Sequence, residues 1–317
     1  LEGCPPDRRW TMYATGLERG NSSIGYVAVS TLFVREHNRI CGLLSREYGW
    51  SDDERLFQTA RNINIVVLIK LLLEDYINHI LGYPLFLFDP SFAERRHWYR
   101  QNWIALEFNL LYRWHGLVPG SMTLGGQSYD HWQFRNNNAF FEQQGLRKVV
   151  EAVSLQRAGR IGLGNTPKFL LPADSASLRM SRAFRLKPFN DYRERFGLRR
   201  LRSFEQLTTD KDLRATLTRL YPKGIDQLEL IPGLFAESPQ GNALFGKLMI
   251  AMVGYDALTQ IYSNPLISEA VFTPETFTPR GMDVIRETTS IQSLVERNLS
   301  EAEKDGRGRV VASLSLR

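Results

Sequence analysis

The stretch RLFQTARNINIVVLIKLLLEDYINHIL, residues 55–81, is apolar nearly all round in its middle. A helix without a polar face has to be enclosed by other elements. It therefore calls for a large helical domain rather than a small bundle. A chain of 317 residues with 43% hydrophobic content can supply one. Ser51 and Glu54 stand at capping-box spacing before it, and Gly82 is placed to stop it. Its apolar run, INIVVLIKLLL, is interrupted by Asn64 and Lys70, is too short for a membrane span, and reads as a buried helix.

Other segments read the same way. YVAVSTLFVREHNRICGLLSREYG is a helix ending at Gly49. RQNWIALEFNLLYRWHGLVPG reads as one helix, NAFFEQQGLRKVVEAVSLQRAG as another, and Gly125 and Gly126 mark a polar connection between them. Further helices are expected at ADSASLRMSRAFRL, FNDYRERFG, SFEQL, DKDLRATLTRLY and GNALFGKLMIAMVGYDALTQIYS, with a second capping-box spacing at Ser203 and Gln206. Strand-like alternation is scarce, so the fold class is mainly α. No linker divides the chain, which predicts one domain over 1–317 with irregular ends at 1–21 and 300–317.

The formal charge of +6 is scattered among acidic residues, and no nucleic-acid motif accompanies it, so nucleic acid is not an expected partner. The two cysteines, Cys4 and Cys41, read as ordinary thiols, and neither a disulfide framework nor a CxxC metal site is present. No signal peptide is visible, and the chain starts at Leu1 rather than Met.

Chemistry is suggested most by Glu107 to Gly120, EFNLLYRWHGLVPG. Of the five histidines, His37, His79, His97, His115 and His131, no pair has a zinc-binding spacing. A dispersed set like this usually consists of ordinary helix histidines; His115 differs in that Trp114 and an apolar segment surround it, where a neutral imidazole could bind haem iron, but from helix geometry alone the ordinary reading is favoured. Tyr112 precedes it by three residues, so on a continuous helix both project to one side. From spacing alone, a half-buried tyrosine bonded to a neighbour is the simpler account. GRIGLG does not fit GxGxxG, GNSSIG is not a GxSxG elbow, and REHNR by itself reads as a solvated or internally paired helix face.

TLFVREHNRIC, DERLFQTAR, EDYINHILGY, EFNLLYRWHGLVP, AGRIGLGN, PFNDYRERFG, SFEQLT and NPL occur in one order from about Thr31 to about Leu294. In this the chain resembles the cyclooxygenase-like branch of the animal-type haem peroxidases, which includes prostaglandin synthases and fatty-acid dioxygenases. The resemblance implies the helical haem peroxidase fold and haem b as cofactor. It makes His115 the proximal iron ligand and Tyr112 the tyrosine whose radical abstracts hydrogen from a fatty acid. Asn109 and Trp114 would line the haem pocket, and Asn190 would orient the proximal histidine. The implied reaction uses peroxide to oxidise the haem, the haem to oxidise Tyr112, and Tyr112 to take hydrogen from an unsaturated or α-methylene carbon of a fatty acid. Molecular oxygen then adds, giving a hydroperoxide.

Departures from the family pattern narrow this expectation. Too little chain precedes REHNR to hold the family's distal histidine, so the distal part of the domain is expected to be missing; Arg19 lies about where some relatives place a distal-side arginine. The position matching the serine acetylated by aspirin is Ala257. Where prostaglandin synthases have YHWHP, this chain has YRWHG, with Arg113 and Gly116, which is closer to linoleate dioxygenases and favours single dioxygenation. A general haem peroxidase of small reductants, and a non-catalytic relative that has lost haem, are the alternatives. A cytoplasmic or peripheral-membrane location is expected, with a homodimer left open.

Overall fold

The computed structural model describes residues 5–17, 19–100, 103–304 and 310–312. Cys4 lies outside the described residues, as does much of the tail beyond Lys304. The architecture is mainly helical, as expected, with one short hairpin.

The first long helix spans Ile24–Tyr48 and is closed by Gly49 in the left-handed conformation, φ 65°. The central helix follows. It runs Asp53–Leu71, passes through a π-helical turn at Leu72–Ile77, continues as Asn78–Leu81 and stops at Gly82, φ 74°. Its cap is Asp52 rather than Ser51: the Asp52 carboxylate accepts the Arg55 amide at 2.6 Å, an equally good N-cap one residue later. Similarly, Ser203 precedes its helix without a side-chain cap bond, although Gln206 does accept the Arg202 amide.

As an unbroken helical stretch, Asp53–Leu81 is 29 residues, long and apolar enough to cross a membrane by length and composition. The expectation that it falls short is therefore corrected. Its burial is what makes it a core helix here. Ala60, Ile63, Val66, Val67 and Leu73 are wholly enclosed by the Ile24–Tyr48 helix and by neighbours including Pro279–Glu287. Lys70 is buried without harm because its ammonium donates to the carbonyls of Ile285 and Arg286 at 3.1 and 2.8 Å. These are among the carbonyls that a helix C-terminus leaves open.

REHNR is internal scaffold, as the sequence suggested. Glu36 is fully buried and bonds Arg39, Arg297 and Asn298. It ties the first helix to Ile291–Asn298, which sequence reasoning missed along with Leu230–Ala236 and Pro279–Glu287. Gly125 and Gly126, both with positive φ, turn a two-stranded hairpin, Ser121–Leu124 with Gln127–Asp130. Gly145 splits the expected long helix into Asn138–Gln144 and Leu146–Leu155.

Two apolar cores result. One is built on the first and central helices, the hairpin and the C-terminal helices. The other gathers Leu110, Leu111, Trp114, Phe189, Leu234, Phe245 and their neighbours. Tyr76 and Leu81, at the far end of the central helix, pack against both.

Candidate active site

The segment holding Tyr112 and His115 is not one helix. Only Leu106–Leu111 is α-helical; Tyr112 ends it at φ −83°, ψ 18°, and Trp114 turns out of register at ψ 56°. The His115 amide then bonds the Arg113 carbonyl at 2.9 Å, and a 3-10 turn, His115–Leu117, begins. The expectation that both side chains share a helix face is thus corrected. The break sends them to two different cavities.

His115 lines a cleft of about 370 Å³ with Leu110, Gly116, Leu171, Ile231 and Phe235 among its walls. The loop AGRIGLGN forms another wall. Its backbone closes on the histidine turn: the Gly159 amide donates to the Leu117 carbonyl at 2.9 Å. A side chain at Gly116 would put its Cβ 2.8 Å from the Arg160 carbonyl, and one at Gly159 would collide with the Gly116 carbonyl. Glycine at both places is what lets loop and turn touch.

Asp174, in the first turn of Leu171–Ala183, accepts from His115 Nδ1 at 2.5 Å. Thr166 donates its hydroxyl to the other carboxylate oxygen. With Nδ1 so engaged, Nε2 is the nitrogen left to face a ligand, and a carboxylate behind an imidazole fixes its tautomer and ring orientation. Asn190 does not do this work. It is fully buried, and its amide bonds Leu201 and Asp226 instead, bracing the Arg199–Leu201 segment.

Asn109 is exposed and accepts from Arg113 at 2.7 Å; it lies outside the cleft wall. Arg113 itself lines the cleft, and its other side-chain partner, Ser177, is also neutral. Burial, and then the nearby charge of Arg19, push the Arg113 guanidinium below its ordinary pKa. Two arginines near each other, one of them satisfied only by neutral groups, suit an anionic ligand at this rim. None of the other histidines lines this cleft.

Tyr112 lines a second cavity of about 450 Å³. Its walls are Leu72, Ile77, Ile80, Leu85, Phe108, Ile250, Val253, Leu258 and similar residues, with no Lys, Arg, His, Asp or Glu among them. Ala257 is there too, so the sequence match that singled it out and the Tyr112 match converge on one space. The Tyr112 hydroxyl meets that of Tyr76 at 3.0 Å. Burial raises the pKa of both phenols, further in Tyr76, where the neighbouring phenol adds to the effect. Trp114 is buried beside them, its ring 4.1 Å from Tyr112 and 4.6 Å from Phe245.

Asp174, Thr166 and Tyr76 were not singled out as site residues from the sequence. Tyr76 sits inside the recognised stretch EDYINHILGY, but nothing local marks its contact with Tyr112. Asp174 is 59 residues from His115, and its only local signal is an acidic first turn.

The cleft suits a flat iron-bearing macrocycle. His115 lines it, its walls mix apolar side chains with Thr166, Asp174, Ser175 and Ser177, and Arg113 lines it as well. Among the described residues no cluster of His, Cys, Asp or Glu could hold a bare ion, so a metal here would bring its other ligands with it. One helical domain thus offers an imidazole to the cleft and a buried phenol to a separate apolar cavity.

The family model for animal haem peroxidase matches residues 2–307, and the chain belongs to that family. It is 42% identical over 298 residues to prostaglandin G/H synthase 1 of Mus musculus, covering 92% of this chain and 48% of that protein. Prostaglandin G/H synthase 2 of Equus caballus is 39% identical over 289 residues, covering 90% of this chain and 48% of its own length. The chain thus spans about half the length of these curated relatives. In fold it is similar to fatty acid alpha-dioxygenase of Oryza sativa, with a TM-score of 0.81 at 19% identity over 96% of this chain and 61% of the other. It is also similar to peroxidase A of Dictyostelium discoideum, at TM-score 0.77 and 22% identity over 100% of this chain and 63% of that one.

Proposed function

We propose that this chain carries the iron-ligating and hydrogen-abstracting residues of a haem-dependent fatty-acid dioxygenase. One observation carries the reading: Tyr112 faces a charge-free apolar cavity while His115, three residues on, faces a separate cleft. Arg113 and Trp114 lie between them, and the Trp114 ring packs tilted against the phenol, centroids 4.1 Å apart. The cleft suits haem b, with His115 as ligand and Asp174 and Thr166 holding that ligand. Arg113 would balance the anionic edge of the macrocycle.

Bound haem would supply a one-electron oxidant from peroxide. The protein's part is to place a phenol against a lipid carbon and keep water out. Tyr112 gives an electron to that oxidant and its hydroxyl proton ends in the water formed from the peroxide, leaving a phenoxyl, while the Tyr76 hydroxyl fixes the position of its oxygen. The phenoxyl takes a hydrogen atom from a weak C–H bond of an unsaturated fatty acid, restoring the phenol. Molecular oxygen adds to the carbon radical. The peroxyl radical then takes a hydrogen atom back from Tyr112, giving a hydroperoxide and renewing the phenoxyl. Tyr83, Leu85 and Leu87 are exposed, and Leu85 also lines the cavity. This supports peripheral contact with a lipid surface from which the substrate enters.

The test is oxygen uptake by haem-loaded protein given peroxide and linoleate. Uptake that depends on the fatty acid and disappears in Tyr112→Phe, with the Soret band intact, supports the proposal. Equal uptake in that variant, or peroxide consumption only with small reductants, refutes it.

A further inference from the structure

The connection from Tyr83 to Arg100 has an inner and an outer side. Phe88 packs against Phe272, centroids 5.6 Å apart, and Phe92 and Trp98 both pack against the buried Tyr262, at 5.3 and 6.4 Å. Ala93, between them, is fully enclosed. Leu85 and Leu87 at one end and Arg95, Arg96 and Arg100 at the other remain exposed, away from that aromatic layer. The three arginines have no carboxylate partner among the described residues. The Arg96 guanidinium lies over the Phe92 ring, 4.9 Å from its centroid, and donates to the Phe92 carbonyl at 3.3 Å. The two acids of the connection are held elsewhere: Asp89 accepts the Ser91 amide at 3.0 Å, and Glu94 accepts the Glu269 amide at 2.7 Å.

A partner for this face has to carry negative charge and also accept leucine side chains. A leaflet containing anionic phospholipid does both. The leucines enter the acyl boundary while the guanidinium groups stay at the level of the phosphates. Trp103, 86% exposed just beyond the connection, is a side chain that favours the same depth. A symmetric contact between two copies centred here would set arginine against arginine. Leu85 also lines the Tyr112 cavity, so the face and the cavity share a wall. We infer that residues 83–100 dock this chain on an anionic bilayer surface, and that Arg95, Arg96 and Arg100 select the charged headgroups. This rests on the lipid-surface contact proposed above and adds charge selectivity to it.

The full chain is sedimented with vesicles of phosphatidylcholine alone and with mixed phosphatidylcholine–phosphatidylserine vesicles. Wild type should bind the mixed vesicles about tenfold or more tightly at low salt, and rising salt should erase the difference. With Arg95→Gln, Arg96→Gln and Arg100→Gln combined, the preference should fall within about twofold, while binding to phosphatidylcholine persists and shows an intact fold. Equal binding of both vesicles by wild type, or a preference that survives the three substitutions, overturns the inference and leaves the lipid contact standing. If wild type binds neither vesicle, the lipid contact falls and the inference with it. A wild-type dimer that the substitutions disperse, without any vesicle preference, would give this face to a second copy and also overturn the inference.

Discussion

The hydroxyls of Tyr76 and Tyr112 lie 3.0 Å apart at the seam where the two apolar cores meet. Each is the other's side-chain partner. Removing one leaves the other buried and unsatisfied, at a cost of about 1–3 kcal/mol. Urea denaturation should show that loss in Tyr76→Phe and in Tyr112→Phe. The double variant, with both polar groups gone, should lose less than the sum of the two. Strict additivity would mean the pair is not coupled in solution.

Asp174 bonds His115, and Thr166 bonds Asp174. Asp174→Asn should weaken haem affinity by about 10–100-fold, the usual effect of losing the group behind a metal-binding histidine. Thr166→Val should cost less, because the carboxylate remains. Haem affinity measured by titration checks this; an unchanged value in Asp174→Asn would show that the short contact at Nδ1 has no bearing on binding.

Glu36 predicts an acid-sensitive scaffold. Burial alone would raise its carboxyl, but hydrogen bonds and charge from Arg39 and Arg297 prevail and hold it at about 2, below the ordinary 4.5. A depressed pKa in the folded state contributes stability that is complete above the unfolded value and is lost as pH falls through the folded one. The window is therefore about pH 4.5 down to about 2, and the contribution is about 3 kcal/mol. Glu36→Gln should be destabilised near neutrality and show a flatter stability profile across that window. A profile as steep as the parent's would assign the acid sensitivity to other carboxylates.

Leu85 and Leu87 are 67% and 78% exposed beside the Tyr112 cavity. Replacing both with serine should reduce sedimentation with phosphatidylcholine vesicles severalfold without altering haem affinity. Unchanged sedimentation would remove these residues from the membrane account.

Much of this arrangement was legible in the sequence, and the exceptions have physical reasons. The central helix declared itself by having no polar face, and Gly49 and Gly82 marked real helix ends. The family motifs pointed to Tyr112, His115 and Ala257, and these residues do border two adjoining cavities. The break between Tyr112 and His115 was not legible, because a three-residue spacing suggests one helical turn whether or not the backbone continues. The bonds of His115 to Asp174 and of Tyr112 to Tyr76 join distant segments, so no local pattern carries them. Asn190 shows the converse: a motif match identified a buried, fully bonded residue, but its bonds go to Leu201 and Asp226 rather than to the histidine.

The central claim is that His115 grips the iron of a macrocycle seated in its cleft. It is tested most directly by titrating the purified chain with haem and following the Soret band, in wild type and His115→Ala. The account predicts saturation at one haem per chain in wild type and loss of that band in the variant. A chain that stays colourless, or a variant that titrates like wild type, would contradict it.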